Sequence, residues 1–295
     1  MGTVSGKVVF VTGGGAGVGA EVARQLHAKG ARLVLTDVDG DALAAVSKAL
    51  GDDRVLTVVA DVRDLAAMQA AADLGVQRFG GIDVVVANAG IASYGSVLQV
   101  DPEAFQRLLD INVLGVFHTV RAALPSIIER RGYVLIVSSL AAFTAAPGLA
   151  PYNASKAAVE QFANALRLEL AHRGVDVGSA HMSWIDTAMV RDSKTDLSTF
   201  TEMLSRLPYP LSRTTSVQKC GASFVEGIEG RRTRVYCPRW VGALRWLRPV
   251  MSTRLGEAPV KRFVPDLLPR MDAEVAALGR STSAHVEAFD PPDPR

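Results

Sequence analysis

The feature that most constrains this chain is a series of short, unbroken apolar runs: KVVFVT (7–12), RLVLTD (32–37), RVLTVVAD (54–61), IDVVVAN (82–88), GYVLIVSS (132–139) and VDVGSAHM (175–182), with a shorter TRVYCP (233–238) after them. Each has the length of a strand. Their hydrophobicity is continuous rather than alternating, so both faces must be covered. Between them the apolar residues recur at helical spacing. Regular alternation of strand and helix requires right-handed crossovers, and the chain therefore reads as α/β, with a single doubly wound parallel sheet and helices on both faces. A length of 295 residues with 48% hydrophobic content is enough to bury such a sheet.

In such sheets ligands bind beyond the carboxyl ends of the strands. The residues at those ends are small, polar or acidic: a glycine cluster after the first run, Asp37, Asp61-Val62, Asn88-Ala89-Gly90, Ser138-Ser139, and SWIDT (183–187). A purely structural sheet has no need to gather them at one edge. TGGGAGVG (12–19) closes the first strand and opens the first helix, so its glycines let backbone N–H groups and the helix dipole approach a pyrophosphate. Asp37, 18 residues beyond Gly19, is placed to accept hydrogen bonds from ribose hydroxyls and to repel a 2′-phosphate. No arginine lies in the glycine loop or directly after Asp37. NAD is the expected cofactor, ahead of NADP. The competing reading of DVDGD is a solvated turn with Asp39 or Asp41 as a helix cap.

A second signal is PYNASKAAVEQFANAL (151–166), a helix start with a lysine in its first turns, where the helix dipole disfavours a cation. Tyr152 and Lys156 at i and i+4 share a helix face, which explains the placement. A free phenol titrates near a pKa of ~10, and a neighbouring cation favours the phenolate and makes it a usable acid/base near neutrality.

Taken in order, Thr12-Gly13, Gly17, Gly19, Asp61, Asn88-Ala89-Gly90, Asn112 within DINVLG, Ser139, and Tyr152 with Lys156 make the chain resemble the short-chain dehydrogenase/reductase family over about residues 5–238. That resemblance implies an NAD(P)-dependent Rossmann-fold oxidoreductase acting on CH–OH donors. It implies Tyr152 as general acid/base, Ser139 as the group that positions the substrate oxygen, Lys156 as the residue that tunes the phenol and holds the nicotinamide ribose, and Asn112 as support for a water-linked proton path. The resemblance implies Ser139 rather than Ser138, because the family's serine stands thirteen residues before its tyrosine, as Ser139 does before Tyr152. The expected cofactor contacts are Gly13, Gly15, Gly17, Val18, Gly19, Asp37, Asp61, Val62, Asn88, Ala89, Gly90, Tyr152, Lys156, Ile185 and Thr187. The family's Pro-Gly after the sixth strand is replaced here by Met182-Ser183, which removes a source of loop rigidity. His181 just before reads as a satisfied structural residue. The resemblance also implies a homodimer or homotetramer through long helices at about 102–130 and 152–173, with Val159, Phe162, Ala163 and Leu166 as the apolar stripe.

The dehydrogenase domain is thus expected at 1–238, with a substrate lid at 188–214 whose Met189, Phe200, Met203, Leu204 and Tyr209 either line an apolar pocket or pack on one another. A basic extension follows at 239–280, then a disordered tail at 281–295. Residues 231–270 hold ten basic side chains against Glu257 and Asp266, whereas the whole chain is nearly balanced at +2, which argues against a nucleic-acid partner. RWVGALRWLRPVMSTR (239–254) aligns Trp240, Leu244, Leu247 and Met251 and is read either as a cover over the cleft or as a peripheral membrane contact through 239–262. Two sparse cysteines, no metal-ligating cluster and an N-terminus without a signal pattern point to the cytoplasm, at most peripheral at a membrane surface. The expected reaction is hydride transfer between NAD and a secondary alcohol or ketone with a steroid-like or lipid-like apolar body. The rivals are an NADP-linked ketone reductase and a non-catalytic protein that senses dinucleotides.

Overall fold

The computed structural model describes residues 3–51 and 53–289. All seven apolar runs form strands: β1 (Val8–Thr12), β2 (Arg32–Asp37), β3 (Val55–Val59), β4 (Val84–Ala87), β5 (Tyr133–Val137), β6 (Asp176–Met182) and β7 (Arg234–Cys237). They make one parallel sheet in the order β3-β2-β1-β4-β5-β6-β7. Phe10 at its centre pairs with Val34 on one side and Val85 on the other. The order reverses between β1 and β4, which opens a crevice at their carboxyl ends.

The helices are α1 (Gly17–Ala28), α2 (Gly40–Leu50), α3 (Leu65–Phe79), α4 (Pro102–Leu109), α5 (Gly115–Glu129), α6 (Ala150–Leu170), α7 (Ala188–Asp196), α8 (Ser198–Arg206), α9 (Val217–Glu229), α10 (Val241–Met251), α11 (Arg254–Lys261), α12 (Val264–Leu278) and α13 (Ala284–Phe289). On one sheet face, Val22 and Leu26 of α1, Leu43 of α2 and Phe224 and Ile228 of α9 pack on Val9, Val11, Leu33 and Leu35. Both cysteines lie in this core as free thiols. On the other face, Met68 of α3, Val116, Val120 and Ile127 of α5, and Val159, Ala163 and Leu166 of α6 pack on Phe10, Val34, Val85 and Val134. Helix starts follow local chemistry. Asp39, Asp64 and Asp101 each accept a backbone N–H at the start of α2, α3 and α4, and Pro102 occupies a first-turn position that needs no donor.

Three expectations meet a different arrangement. The helix anticipated at 102–130 is not uniform, because Asp110–Leu114 form a wider π turn between α4 and α5. By length and composition Pro102–Glu129 is apolar enough to cross a membrane. Its apolar face instead covers the sheet. Of the stripe, Val159, Ala163 and Leu166 are buried against the sheet and Phe162 is half-buried beside Phe117, and on α5 and α6 the large apolar residues that stay exposed are Phe117 and Leu168.

The third difference concerns the end of the chain. Phe263, Leu267, Met271 and Val275 of the extension are buried against Leu197, Phe200, Met203 and Leu204 of the 188–214 segment, with Tyr94 and Leu149 beneath. At about 1.5–3 kcal/mol for each fully buried large apolar side chain, this is a second core rather than a loose cover. Residues 281–289, expected to be disordered, hold a buried Ser281 and Thr282 and the helix α13, while 290–295 lie outside the described residues.

Candidate active site

The carboxyl edge of the sheet borders a cavity of about 390 Å³ that runs from Asp37 past Tyr152 to the C-terminal helix. At its first end the glycine loop packs tightly against itself and the end of β4. A Cβ on Gly13 would meet Asn88 and Ala89, and one on Gly19 would come 2.0 Å from the carbonyl of Gly13. Gly17 has φ +55°, a conformation glycine adopts without strain. The Gly15 N–H donates to Asp37 Oδ2 at 2.9 Å, which ties the loop to the end of β2 and fixes the carboxylate at the cavity wall. Asp39 caps α2, as the turn reading foresaw, and leaves Asp37 to the cavity. Thr12 Oγ1 accepts the N–H groups of Asn88 and Ala89 at 3.1 and 3.2 Å, and Asn88 Nδ2 donates to the carbonyls of Thr12 and Gly13. These bonds lock the ends of β1 and β4 together beside the crevice.

Asp61 accepts from Arg63 Nη2 at 2.6 Å and from the Arg63 backbone at 2.8 Å. Burial acts to raise the Asp61 carboxyl, but the Arg63 hydrogen bonds outweigh it and hold the group below its ordinary range. Arg63 also lines the cavity and was not foreseen, although DVRD places it two residues past an expected contact.

At the middle of the cavity α6 presents Tyr152 and Lys156, with Lys156 Nζ 5.6 Å from the phenol ring centroid. Lys156 is buried and donates to the carbonyl of Val137 at 3.2 Å. Desolvation pushes it down from the usual lysine range to about 8. Burial raises the Tyr152 phenol, opposed by a hydrogen bond with Ser139. The expected lowering by Lys156 is therefore not the dominant effect in the protein alone. Dehydration is the leading effect on each group. Ser138 donates to the carbonyl of Lys156 at 2.9 Å and so anchors α6. Asn112, fully buried in the π turn, accepts the Ile91 N–H at 2.8 Å and donates to the Ile91 carbonyl at 2.9 Å and to Ser155 Oγ at 3.0 Å.

His181 is buried against Phe143, with Nε2 2.8 Å from Ser179 Oγ and Nδ1 3.3 Å from the Ser139 carbonyl. Desolvation pushes it down to about 3, so it is neutral. The loop after β6 is tied down despite lacking Pro-Gly. Ser183 N–H donates to Cys237 O, Asp186 N–H to Thr215 O, and Thr215 N–H to Trp184 O. Among the described residues the Ser183 hydroxyl, at the cavity wall, is buried with no hydrogen-bond partner, as is Thr36 Oγ1.

Of the sequence candidates, Gly13, Gly17, Val18, Asp37, Asp61, Val62, Asn88, Ala89, Gly90, Ser139, Tyr152, Lys156, Ile185 and Thr187 line the cavity. Gly15, Gly19 and Asn112 stand behind that wall and shape it. The far end went unforeseen: Tyr94, Trp184, Ser283, His285, Val286 and Phe289 join Met189 and Phe200 there. Met203 and Leu204 pack under α12, and Tyr209 lies outside, 76% exposed. This end is latched. Arg280 forks onto Asp196 at 2.8 and 2.9 Å and donates to Tyr94 Oη at 2.9 Å, and that hydroxyl lies 2.6 Å from the carbonyl of Thr282. The Arg280 bond holds the Asp196 carboxyl below its usual range.

A glycine-cradled crevice at the sheet's switch point, with a tyrosine, serine and lysine at its centre, defines a dinucleotide-linked oxidoreductase of the Rossmann class. The chain belongs to the short-chain dehydrogenase family, whose model matches residues 7–198. It is 34% identical over 278 residues to the oxidoreductase named SadH of Mycobacterium tuberculosis, covering 90% of this chain and 99% of that protein. Among solved structures, a short-chain dehydrogenase/reductase from Burkholderia phymatum in complex with NAD superimposes with a TM-score of 0.75 at 25% identity, covering 85% of this chain and 95% of the other. A 3-ketoacyl-(acyl-carrier-protein) reductase from Brucella melitensis complexed with NADH gives 0.71 at 27% identity, with 79% and 97% covered.

Proposed function

We propose that the protein is an NAD-linked oxidoreductase that interconverts a secondary alcohol and its ketone, on a substrate with a sizeable apolar body. The observation that carries this reading is the layout of one cavity, with Asp37 at one end, Tyr152, Ser139 and Lys156 in the middle, and a largely apolar chamber at the other. The glycine loop, the orphaned hydroxyls of Ser183 and Thr36, and the NAD-bound relatives all suit a nicotinamide dinucleotide along the first half. Bound there, that cofactor supplies or accepts the hydride.

Tyr152 holds the proton exchanged at the substrate oxygen, and Ser139 Oγ is placed to hydrogen-bond the same atom and fix its position. Lys156, near 8, is largely cationic at neutral pH and biases the phenol toward releasing its proton when the pair is brought into use. Asn112 holds the Ile91 backbone and Ser155, bonds that favour a positioning role over the water-linked path suggested by family resemblance. Trp184, Leu149, Phe200 and Val286 exclude water from the reacting carbon. The Asp37 carboxylate, fixed by Gly15 and facing the cavity, disfavours a 2′-phosphate, and the nearby Arg63 is engaged with Asp61.

The test is thermal stabilisation by NADH and NADPH, followed by turnover with secondary alcohols and ketones of increasing apolar size. NADH stabilises more, Asp37→Ala narrows the gap, and kcat/KM rises with apolar bulk. Equal stabilisation by the two cofactors overturns the NAD assignment, and dinucleotide binding without turnover on any of the panel favours the sensing protein.

A further inference from the structure

The α10–α11 hairpin separates two faces that the sequence pattern had merged. Val241 is buried, and Trp240 and Leu244 turn inward onto Leu140, Phe143 and Tyr236. Arg248 sits at the inner edge, 3.6 Å from the buried Glu160 of α6. One step around the same helix, Trp246 is 78% exposed, with Leu247 and Val250 beside it, and Leu255 at the start of α11 is 85% exposed. Trp246 and Val250 are spaced i, i+4 and therefore stand on one side. Thr253 caps α11 and donates to the Val250 carbonyl at 2.7 Å, which closes the turn that brings Leu255 after them. No residue of α11 is buried.

The charge around this apolar tip has one sign. Residues 245–262 contain Arg245, Arg248, Arg254, Lys261 and Arg262 against Glu257 alone. Glu257 is taken by Lys261, and Arg245 lies over the Trp246 ring at 5.3 Å. Among the described residues Arg254 and Arg262 have no acidic partner, and both are exposed. An apolar, tryptophan-bearing tip fringed by unpaired arginines matches a surface with an apolar interior and anionic headgroups. A second copy of this chain fits it less well, since pairing the tip with itself would bring together two arginine fringes of the same sign.

We infer that the α10–α11 tip docks the protein on an anionic lipid surface through Trp246, Leu247, Val250 and Leu255, with Arg254 and Arg262 at the headgroups. The site adjoins the apolar cluster behind the cavity wall. Val260 and Phe263, directly after the tip, pack in the same cluster as Leu267, Trp184 and Tyr152. The surface thus stands beside the chamber assigned to the apolar substrate, although the docking itself does not depend on which reaction occurs there.

The experiment floats the full chain with phosphatidylcholine vesicles, with and without phosphatidylglycerol, at low and at physiological salt, and records tryptophan emission. Anionic vesicles bind the chain and shift its emission to the blue, neutral vesicles bind at least tenfold less, and salt weakens binding. Arg254→Gln lowers the partition coefficient about fivefold, the effect of one basic residue at such a surface. Trp246→Ala with Leu255→Ala lowers it more than tenfold, while NADH stabilisation and mass by light scattering stay as in the parent. Absence of binding to anionic vesicles at low salt overturns the proposal, as does equal binding to neutral ones. Retained binding in both variants does the same, and a change of oligomeric state in the double variant identifies the tip as a contact between copies.

Discussion

The two ends of the cavity are made from different kinds of chain. The dinucleotide end is assembled at the strand termini β1 to β4, where hydrogen bonds join residues that the sheet has already brought together, such as Thr12 with Asn88 and Gly15 with Asp37. The substrate end is assembled from segments far apart in sequence that no sheet connects: Tyr94 before α4, Asp196 on the lid, and Arg280 near the terminus. The first end inherits its shape from the fold, whereas the second holds its shape by a latch and an apolar cluster of its own. Geometry at the dinucleotide end should resist change, and geometry at the substrate end should be adjustable.

The largest effect should come where the two ends meet. Tyr152→Phe removes only the proton-transfer group and should cut turnover by about 10²–10⁴-fold. The NADH-induced thermal shift should stay within a degree or so of the parent, and a large loss of that shift would mean that Tyr152 belongs to binding rather than to chemistry. Next, Arg280→Ala releases Asp196 and Tyr94 together. KM for an apolar substrate should rise about tenfold, equivalent to ~1.4 kcal/mol, with the NADH affinity unchanged. If both constants moved equally, the two ends would not be independent and the contrast above would fail.

The smallest effect concerns stability. Lys156 is depressed to about 8 by burial, so below that pH the folded protein carries a dehydrated cation that the unfolded chain hydrates freely. Lys156→Met should therefore raise the melting temperature by a few degrees at pH 7 without added dinucleotide, while abolishing useful turnover. The sign follows from the unfolded lysine binding its proton up to about 10.5. Between pH 8 and 10.5 the parent loses its penalty and the difference between the proteins shrinks. A gap that widened with pH would show that Lys156 stabilises the unliganded fold.

The same contrast explains what the sequence discloses. Continuous apolar runs announce buried parallel strands, because nothing else needs both faces covered over five residues, and all seven were legible. Gly13 to Gly19, Asp37, and Tyr152 with Lys156 were legible because close approach and i, i+4 geometry are local demands. The substrate end obeys long-range demands. Tyr94 finds Arg280 186 residues away, and nothing near either residue signals the meeting. Helix α13 looked unstructured because its segment, STSAHVEAF, has few apolar residues, yet the burial of Ser281 and Thr282 under α4 and the loop before it holds it in place. The stripe on α6 was visible but its direction was not, since periodicity gives a face and says nothing of what meets it. The π turn at Asn112 escaped for a different reason, because one extra residue leaves the periodicity within each flanking helix intact and only rotates one against the other, by about 100°.

The latch also sets an order of events at the ribosome. Every strand of the sheet has been translated by Cys237, whereas Arg280 emerges more than forty residues later. Until α12 follows, Phe200, Met203 and Leu204 lack the cover that Leu267, Met271 and Val275 supply, so the growing chain carries a complete dinucleotide edge beside a partly open apolar patch. A frameshift or stop codon anywhere between 238 and 263 leaves that patch permanently exposed. Chaperones and proteases that read exposed apolar surface can then tell a chain with α12 in place from one without it.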